Sequence, residues 1–313
     1  ADATVLTVSS SAQPSAVGQS VTFTATVVDV NGGTPTGAVE FYDGAVDLGS
    51  GTPLSPGGGG ATSTLAISTL SAGVHTITAV YTPTGIFLSS KGTLTQTVDA
   101  ATSTAATSNH NPSSLGQSVT FTATVTNTSS SGGTPTGAVE FYDGSTDLGA
   151  GSSLSGSGNA AASTLTISTL AVGNHAIKAV YTPSGFFLGG SGTLTQTVGA
   201  VTSTGVVSSD DPAPVGQSIT FTATITNTTN SSTPTGTVEF FDGLTGLGAG
   251  SALSGSGASV TSTFTTSTLA AGVHYIVAVY TPTGDFAGSS GTVRQVVTGP
   301  PAVAEFPGLG VWR

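Results

Sequence analysis

The chain of 313 residues has four Lys and Arg against fifteen Asp and Glu, a net charge of −11. Without clustered cations it offers no counterion-displacing surface for nucleic acid and no attraction to an anionic membrane. Cys and Met are absent, which excludes disulfides, thiolate metal sites and thiol nucleophiles.

Charged residues make up 6% of the chain, against roughly 25% in an ordinary domain, and Thr, Ser, Gly and Ala replace them. The exterior is therefore expected to be hydroxylic rather than ionic. No apolar run approaches the roughly 18 residues that a membrane span needs, so no membrane insertion is expected. The opening Ala1-Asp2-Ala3 fits a chain whose signal peptide was cut after a small residue, and export to the cell surface is the expectation.

The chain is one unit written three times. Thr34–Gly44 (Thr-Pro-Thr-Gly-Ala-Val-Glu-Phe-Tyr-Asp-Gly) recurs unchanged at Thr134–Gly144, and at Thr233–Gly243 with Thr237 and Phe241 substituted. Gly18-Gln19-Ser20, Gly116-Gln117-Ser118 and Gly216-Gln217-Ser218 keep the same register, each with a proline before it (Pro14, Pro112, Pro212). The divisions are 1–99, 100–199 and 200–298, with an apolar Pro/Gly tail over 299–313. A feature present in every copy is architecture before it is chemistry.

Within each copy the first strong signal is a strand of strict period two. Val21, Phe23, Ala25 and Val27 share one face and Thr22, Thr24 and Thr26 the other, and Val119–Val125 and Ile219–Ile225 repeat it. Threonine suits the wet face, because its branched Cβ favours extended backbone while its hydroxyl stays solvated. Next come the Thr34–Gly44 motif with Val39 and Phe41 inward, a short strand around Leu48, and a Gly-rich hairpin or loop over residues 56–60. A strand follows over Ser63–Ser68. The next carries His75, Ile77, Ala79 and Tyr81 on one face, repeated as His175–Tyr181 and His274–Tyr280, with Lys178 marking the opposite phase as outside. Gly92–Val98, Gly192–Val198 and Gly291–Val297 close the copies. Seven or so short strands per copy, with frequent turns and no helical period, predict an all-β chain of three antiparallel two-sheet sandwiches. Junctions of about three residues predict a rod.

The series Gly-x-x-Val-Thr-Phe-x-Ala-Thr-Val, Pro-Thr-Gly-x-Val-Glu-Phe-Tyr-Asp-Gly, Leu-Gly and Gly-x-His-x-Ile-x-Ala-Val-Tyr resembles the bacterial Ig-like repeat domains found in tandem on cell-surface and secreted proteins. The resemblance implies Ig-like sandwiches used as spacer, adhesive module or fibre component, with no catalytic residue to carry over.

Several residue groups invite a chemical reading. His75, His175 and His274 start a buried strand face and are expected to hydrogen-bond at the sandwich end, while His110 sits alone in a loop. Ser, His and Asp are all present, but no Gly-x-Ser-x-Gly elbow supports a triad, and the chain is not read as an enzyme. Glu40, Asp43 and Asp47 form the weak calcium candidate, since hard cations take several oxygens; Glu140, Asp143 and Asp147 match them, but Gly246 breaks the set in copy three. No cofactor is expected. Asn127, Asn227 and Asn230 head N-glycan acceptor patterns, read as surface sites. In the tail, Phe306, Leu309, Val311 and Trp312 are the self-association candidates, as an extended segment suited to a sheet edge or groove on another copy.

The reading reached is an exported structural protein that packs with copies of itself in a surface fibre, pilus-like filament or layer. The alternative is an adhesin stalk or accessory module that contacts surface glycans.

Overall fold

A computed structural model describes residues 1–57 and 60–300. Among them there is no helix, and the strands form three four-stranded and three five-stranded sheets, one of each kind from each copy. Copy one runs β1 (Thr4–Ser10), β2 (Ser15–Ala16), β3 (Val21–Asp29), β4 (Gly37–Asp43), β5 (Val46–Ser50), β6 (Ser55–Gly57), β7 (Gly60–Ile67), β8 (Gly73–Pro83) and β9 (Ser90–Asp99). The four-stranded sheet has the order β1-β3-β7-β6 and the five-stranded sheet β2-β9-β8-β4-β5. Copies two and three repeat both orders. The pairing is antiparallel except where β2 runs parallel to β9.

The alternating sequence creates this arrangement directly. Val21, Phe23, Ala25 and Val27 are buried, the threonines between them are partly wet, and Val39, Phe41, Ile77, Ala79 and Tyr81 meet them from the other sheet. A buried Val, Ile or Phe side chain contributes about 1.5–3 kcal/mol relative to an exposed one. Copy three closes the same core with Ile219, Phe221, Val238, Phe240, Ile276 and Tyr280.

Two features depart from the sequence expectation. The strand expected at Ser63 starts at Gly60 and pairs with β6 as a hairpin. Ser63 is itself buried, its hydroxyl donating to Thr52 O at 2.6 Å, so a polar residue occupies an inward position there. The short strands β2 and β6 add to the seven expected.

Three fixtures recur. The Tyr81 hydroxyl donates to Thr36 O at 2.6 Å, Tyr181 to Thr136 O at 2.7 Å and Tyr280 to Thr235 O at 2.6 Å, so a core tyrosine pins the Thr-Pro-Thr-Gly turn. Gly37 has φ of +142°, and a Cβ there would run into Thr82 O, which explains the glycine that ends that turn. Gln96, fully buried on β9, donates to Ala12 O at 2.9 Å and Ser15 Oγ at 3.1 Å, holding the segment that enters β2. The side chain of Gln13 completes the attachment, donating to Thr95 O at 2.8 Å and accepting from Thr97 N at 3.0 Å. Asn111 makes the same two bonds in copy two, and in copy three Asp211 accepts from Val296 N.

The residues between copies are hydrogen-bonded. Ala100 N donates to Phe186 O at 2.9 Å and Ala100 O accepts from Leu188 N at 2.9 Å; Ala200 makes the matching bonds with Asp285 O and Ala287 N. Asp2 is held the same way by Ile86 O and Leu88 N.

Candidate functional site

The β4–β5 hairpin and the start of β8 gather most of the polar side chains singled out in the sequence. Along β4, Glu40 and Tyr42 point outward while Val39 and Phe41 point into the core. The Tyr42 hydroxyl donates to Glu40 Oε2 at 2.7 Å, and Tyr142 to Glu140 at 2.7 Å. Both phenols titrate above the ordinary tyrosine value, first because of that bond, then because of partial desolvation and the charges of the Glu and of Asp47 or Asp147. Asp47 Oδ1 accepts from Gly49 N at 2.8 Å, a local turn bond.

Asp43 stands in the other phase of β4. Its Oδ2 lies 2.7 Å from His75 Nδ1, and His75 Nε2 lies 2.8 Å from Ser71 O. His274 repeats this at 2.6 Å from Asp242 Oδ2 and 2.8 Å from Ala270 O, and His175 Nε2 reaches Ala171 O. A carbonyl oxygen and a carboxylate oxygen are both acceptors, so only an imidazolium donates to both at once. Around His274, partial desolvation lowers the pKa, but the Ala270 carbonyl and the Asp242 carboxylate outweigh it and the net shift is upward from 6.5. The arrangement can hold a cation between two acceptors and thereby tie the β4 end to the β8 start.

Glu40, Asp43 and Asp47 therefore do not converge as calcium ligands. The alternation of β4 sends Asp43 away from Glu40, and each carboxylate has its own protein partner. Among the described residues no group of three or more His, Asp and Glu gathers as a metal site. The sequence reading makes Asp43 a calcium candidate and does not pair it with His75. The signal for its second role was the constant 32-residue separation from His75, kept by Asp242 and His274.

The glycan acceptor reading also needs correction. Asn127 and Asn227 are 3% exposed, not surface sites. Asn127 Nδ2, the atom a glycan would occupy, donates to Ser131 O and Gly133 O, and Asn227 Nδ2 donates to Asn230 Oδ1 and Ser232 O. These amides organise the loop before the Thr-Pro-Thr-Gly turn. Asn230 is exposed. Phe306, Leu309, Val311 and Trp312 lie outside the described residues.

Each five-stranded sheet ends at an open edge, β5 and its equivalents Thr146–Ala150 and Thr245–Ala249. Copies one and two place Asp47 and Asp147 on this edge, where copy three has Gly246. A charge on an edge strand discourages another strand from pairing with it, so the third edge is the least guarded.

The family model described as bacterial Ig-like domain (group 3) matches residues 6–99, 106–199 and 206–298. No curated protein matches the sequence. Among solved structures, the chain is similar to the Escherichia coli adhesin FdeC, with 15% identity, TM-score 0.36, and coverage of 95% of this chain and 97% of that one. It is similar to the mouse nectin-like molecule 4 ectodomain (14%, TM-score 0.41, 94% and 99%). It is also similar to the fibronectin(III)-like modules of Clostridium thermocellum CbhA (18%, TM-score 0.37, 66% and 100%). With three tandem matches spanning almost all of the described residues, the chain belongs to the bacterial Ig-like domain (group 3) family.

Proposed function

We propose that the chain is an extracellular structural protein whose copies associate into a surface fibre, filament or layer through open sheet edges. The observation that carries this is the edge strand Thr245–Ala249, which has Gly246 where the two other copies have an aspartate. Exposed backbone donors and acceptors on such an edge pair with a second strand unless charge or shape prevents it. A chain with 6% charged residues brings little repulsion to the encounter.

The test is Gly246→Asp, which restores the residue type of the other copies. A Cβ at Gly246 meets only the Phe241 ring at 3.8 Å, an ordinary contact, so the fold tolerates the change. Light scattering and electron microscopy should show concentration-dependent assembly of the parent chain and its suppression in G246D. A chain that stays monomeric at high concentration overturns the proposal.

A second reading, a stalk that contacts surface glycans, is favoured by a groove of about 550 Å³ in copy three. Gly236–Glu239 and Ala249–Ala252 line it, where the longer strand outruns its edge neighbour. Binding on a glycan array by a chain that does not assemble would favour this reading.

A further inference from the structure

The motif that copies one and two share unchanged departs from itself in copy three at two positions, Thr237 for Ala38 and Ala138, and Phe241 for Tyr42 and Tyr142. Both stand on the outward phase of Gly236–Asp242, with Glu239 between them. Gly246, where the other copies have Asp47 and Asp147, pairs with Phe241 across the edge hairpin. Three substitutions thus surround one carboxylate. In copies one and two that carboxylate accepts the tyrosine hydroxyl at 2.7 Å. Phe241 has no hydroxyl to give, and among the described residues no other donor reaches Glu239.

Two clefts meet at Glu239. One, of about 550 Å³, runs from it past Thr237 and Thr281, and the other, of about 250 Å³, runs past Phe241 to Gly246. The larger falls within the range of small-ligand sites, about 300–1,000 Å³. A Cβ at Gly246 would lie 3.8 Å from the Phe241 ring, so an aspartate there would cover that side of the ring and bring a second negative charge. Glycine does neither. Opposite Phe241 on Gly272–Pro282 stands Val277, where copy two has Lys178 opposite Tyr142, so the lysine that accompanies Glu140 has no counterpart beside Glu239.

We infer that this groove binds a glycan that carries a protonated amine, with the ammonium on Glu239 and the sugar ring against Phe241. The inference rests on the glycan-contact reading above and names the sugar class. An ammonium supplies the donor that a tyrosine hydroxyl supplies to Glu40 and Glu140, and its bond to a carboxylate is charge-assisted. The ring of Phe241 adds to the attraction, because the face of an aromatic ring draws a cation within about 6 Å. Beyond the carboxylate, Thr237 and Thr281 pair across the two strands and present two hydroxyls to a hydroxylated ring. An aliphatic lysine chain has no use for them. Charge also rules out an acidic sugar, whose carboxylate would meet Glu239 in a chain of net charge −11.

The experiment is a calorimetric titration of the full chain, diluted until light scattering shows single chains, with three small ligands. A glucosamine trisaccharide carries the amines, an N-acetylglucosamine trisaccharide has the same rings without the charge, and Nα-acetyl-lysine amide has the amine without the rings. The first should bind at one site per chain. The second should bind on the order of tenfold more weakly, the factor that a hydrogen bond to a charged group typically contributes, and the lysine amide should also bind more weakly than the first. Phe241→Tyr restores the residue of copies one and two and gives Glu239 an internal donor, so it should weaken the first ligand by a similar factor, as should Glu239→Gln. Glu40→Gln should change nothing. Circular dichroism and thermal melts verify the fold of each variant. Equal binding of the N-acetylated trisaccharide overturns the inference and leaves the glycan reading standing, whereas no binding of either trisaccharide overturns both. Lysine amide that binds as tightly as the glucosamine trisaccharide, or parental affinity in Phe241→Tyr, also overturns the inference, because the ring or the freed carboxylate would then contribute nothing.

Discussion

His274 shows how much one side chain contributes to the sandwich end, and the prediction it makes has a definite sign. Its ring nitrogens face Asp242 Oδ2 and Ala270 O, and its pKa in the folded chain is raised above 6.5 despite partial desolvation. A group whose pKa is raised by folding binds its proton more tightly in the native state. The stability it contributes is therefore fully present below about 6.5, and is lost as pH rises through the folded-state value. Thermal melts of the parent chain and His274→Gln, run from about pH 5 to about pH 9, should differ most at the acid end and converge on the alkaline side. Parallel curves would mean that the imidazolium is not what ties Gly272–Pro282 to Gly236–Asp242.

At the scale of the element, the sheets close on one another at a glycine. Gly92 on β9 would place a Cβ 2.5 Å from Leu6 O on β1, Gly192 the same distance from Thr104 O, and Gly291 would run into Thr204 O. The obstacle is backbone, which cannot rotate aside as a side chain would, and overpacking of this kind costs typically 1–3 kcal/mol. Gly92→Ala should lower the stability of copy one by about that amount in denaturant unfolding. Gly205, on the exposed side of Thr202–Ser208, has nothing within 4 Å of a built Cβ and no positive φ. Gly205→Ala should therefore be neutral or stabilising by up to about 1 kcal/mol, because it removes freedom only from the unfolded chain. Equal effects of the two substitutions would contradict the close approach of β1 to β9.

The same contrast explains what the sequence disclosed. Strands with strict alternation, such as Val21–Val27, were legible because each buried residue is apolar and each wetter one is threonine. The two-residue β2 has no period to detect, and its position depends on Gln96, which reaches Ser15 across 81 positions of sequence, and on Gln13 just before it, which bonds Thr95 on β9. Ser63 hid the start of β7 because a buried serine breaks the pattern while satisfying its hydroxyl on Thr52 O. The surface reading of Asn127 and Asn227 failed for a related reason. A three-residue motif says nothing about where the asparagine amide is already donating, and Asn127 and Asn227 spend theirs inside the loop.

For the whole molecule, the decisive property is that the buried clusters of copies one and three are each closed within one copy. The buried cluster of copy one draws only on residues from Leu6 to Tyr81, and that of copy three only on residues from Ala213 to Val297. Neither core contains a residue from another copy, so loss of packing in one leaves the others their own driving force. Phe240 is fully buried in the third cluster, and Phe→Ala in a core typically costs 3–5 kcal/mol. Against a domain stability of about 5–15 kcal/mol, that is a large share of what holds one sandwich folded. Phe240→Ala should therefore separate one unfolding transition from the rest in calorimetry, moving it to lower temperature while the remaining heat absorption keeps its midpoint. If the entire profile shifted together, the copies would be one cooperative unit, and their closed cores would not be enough to make them independent.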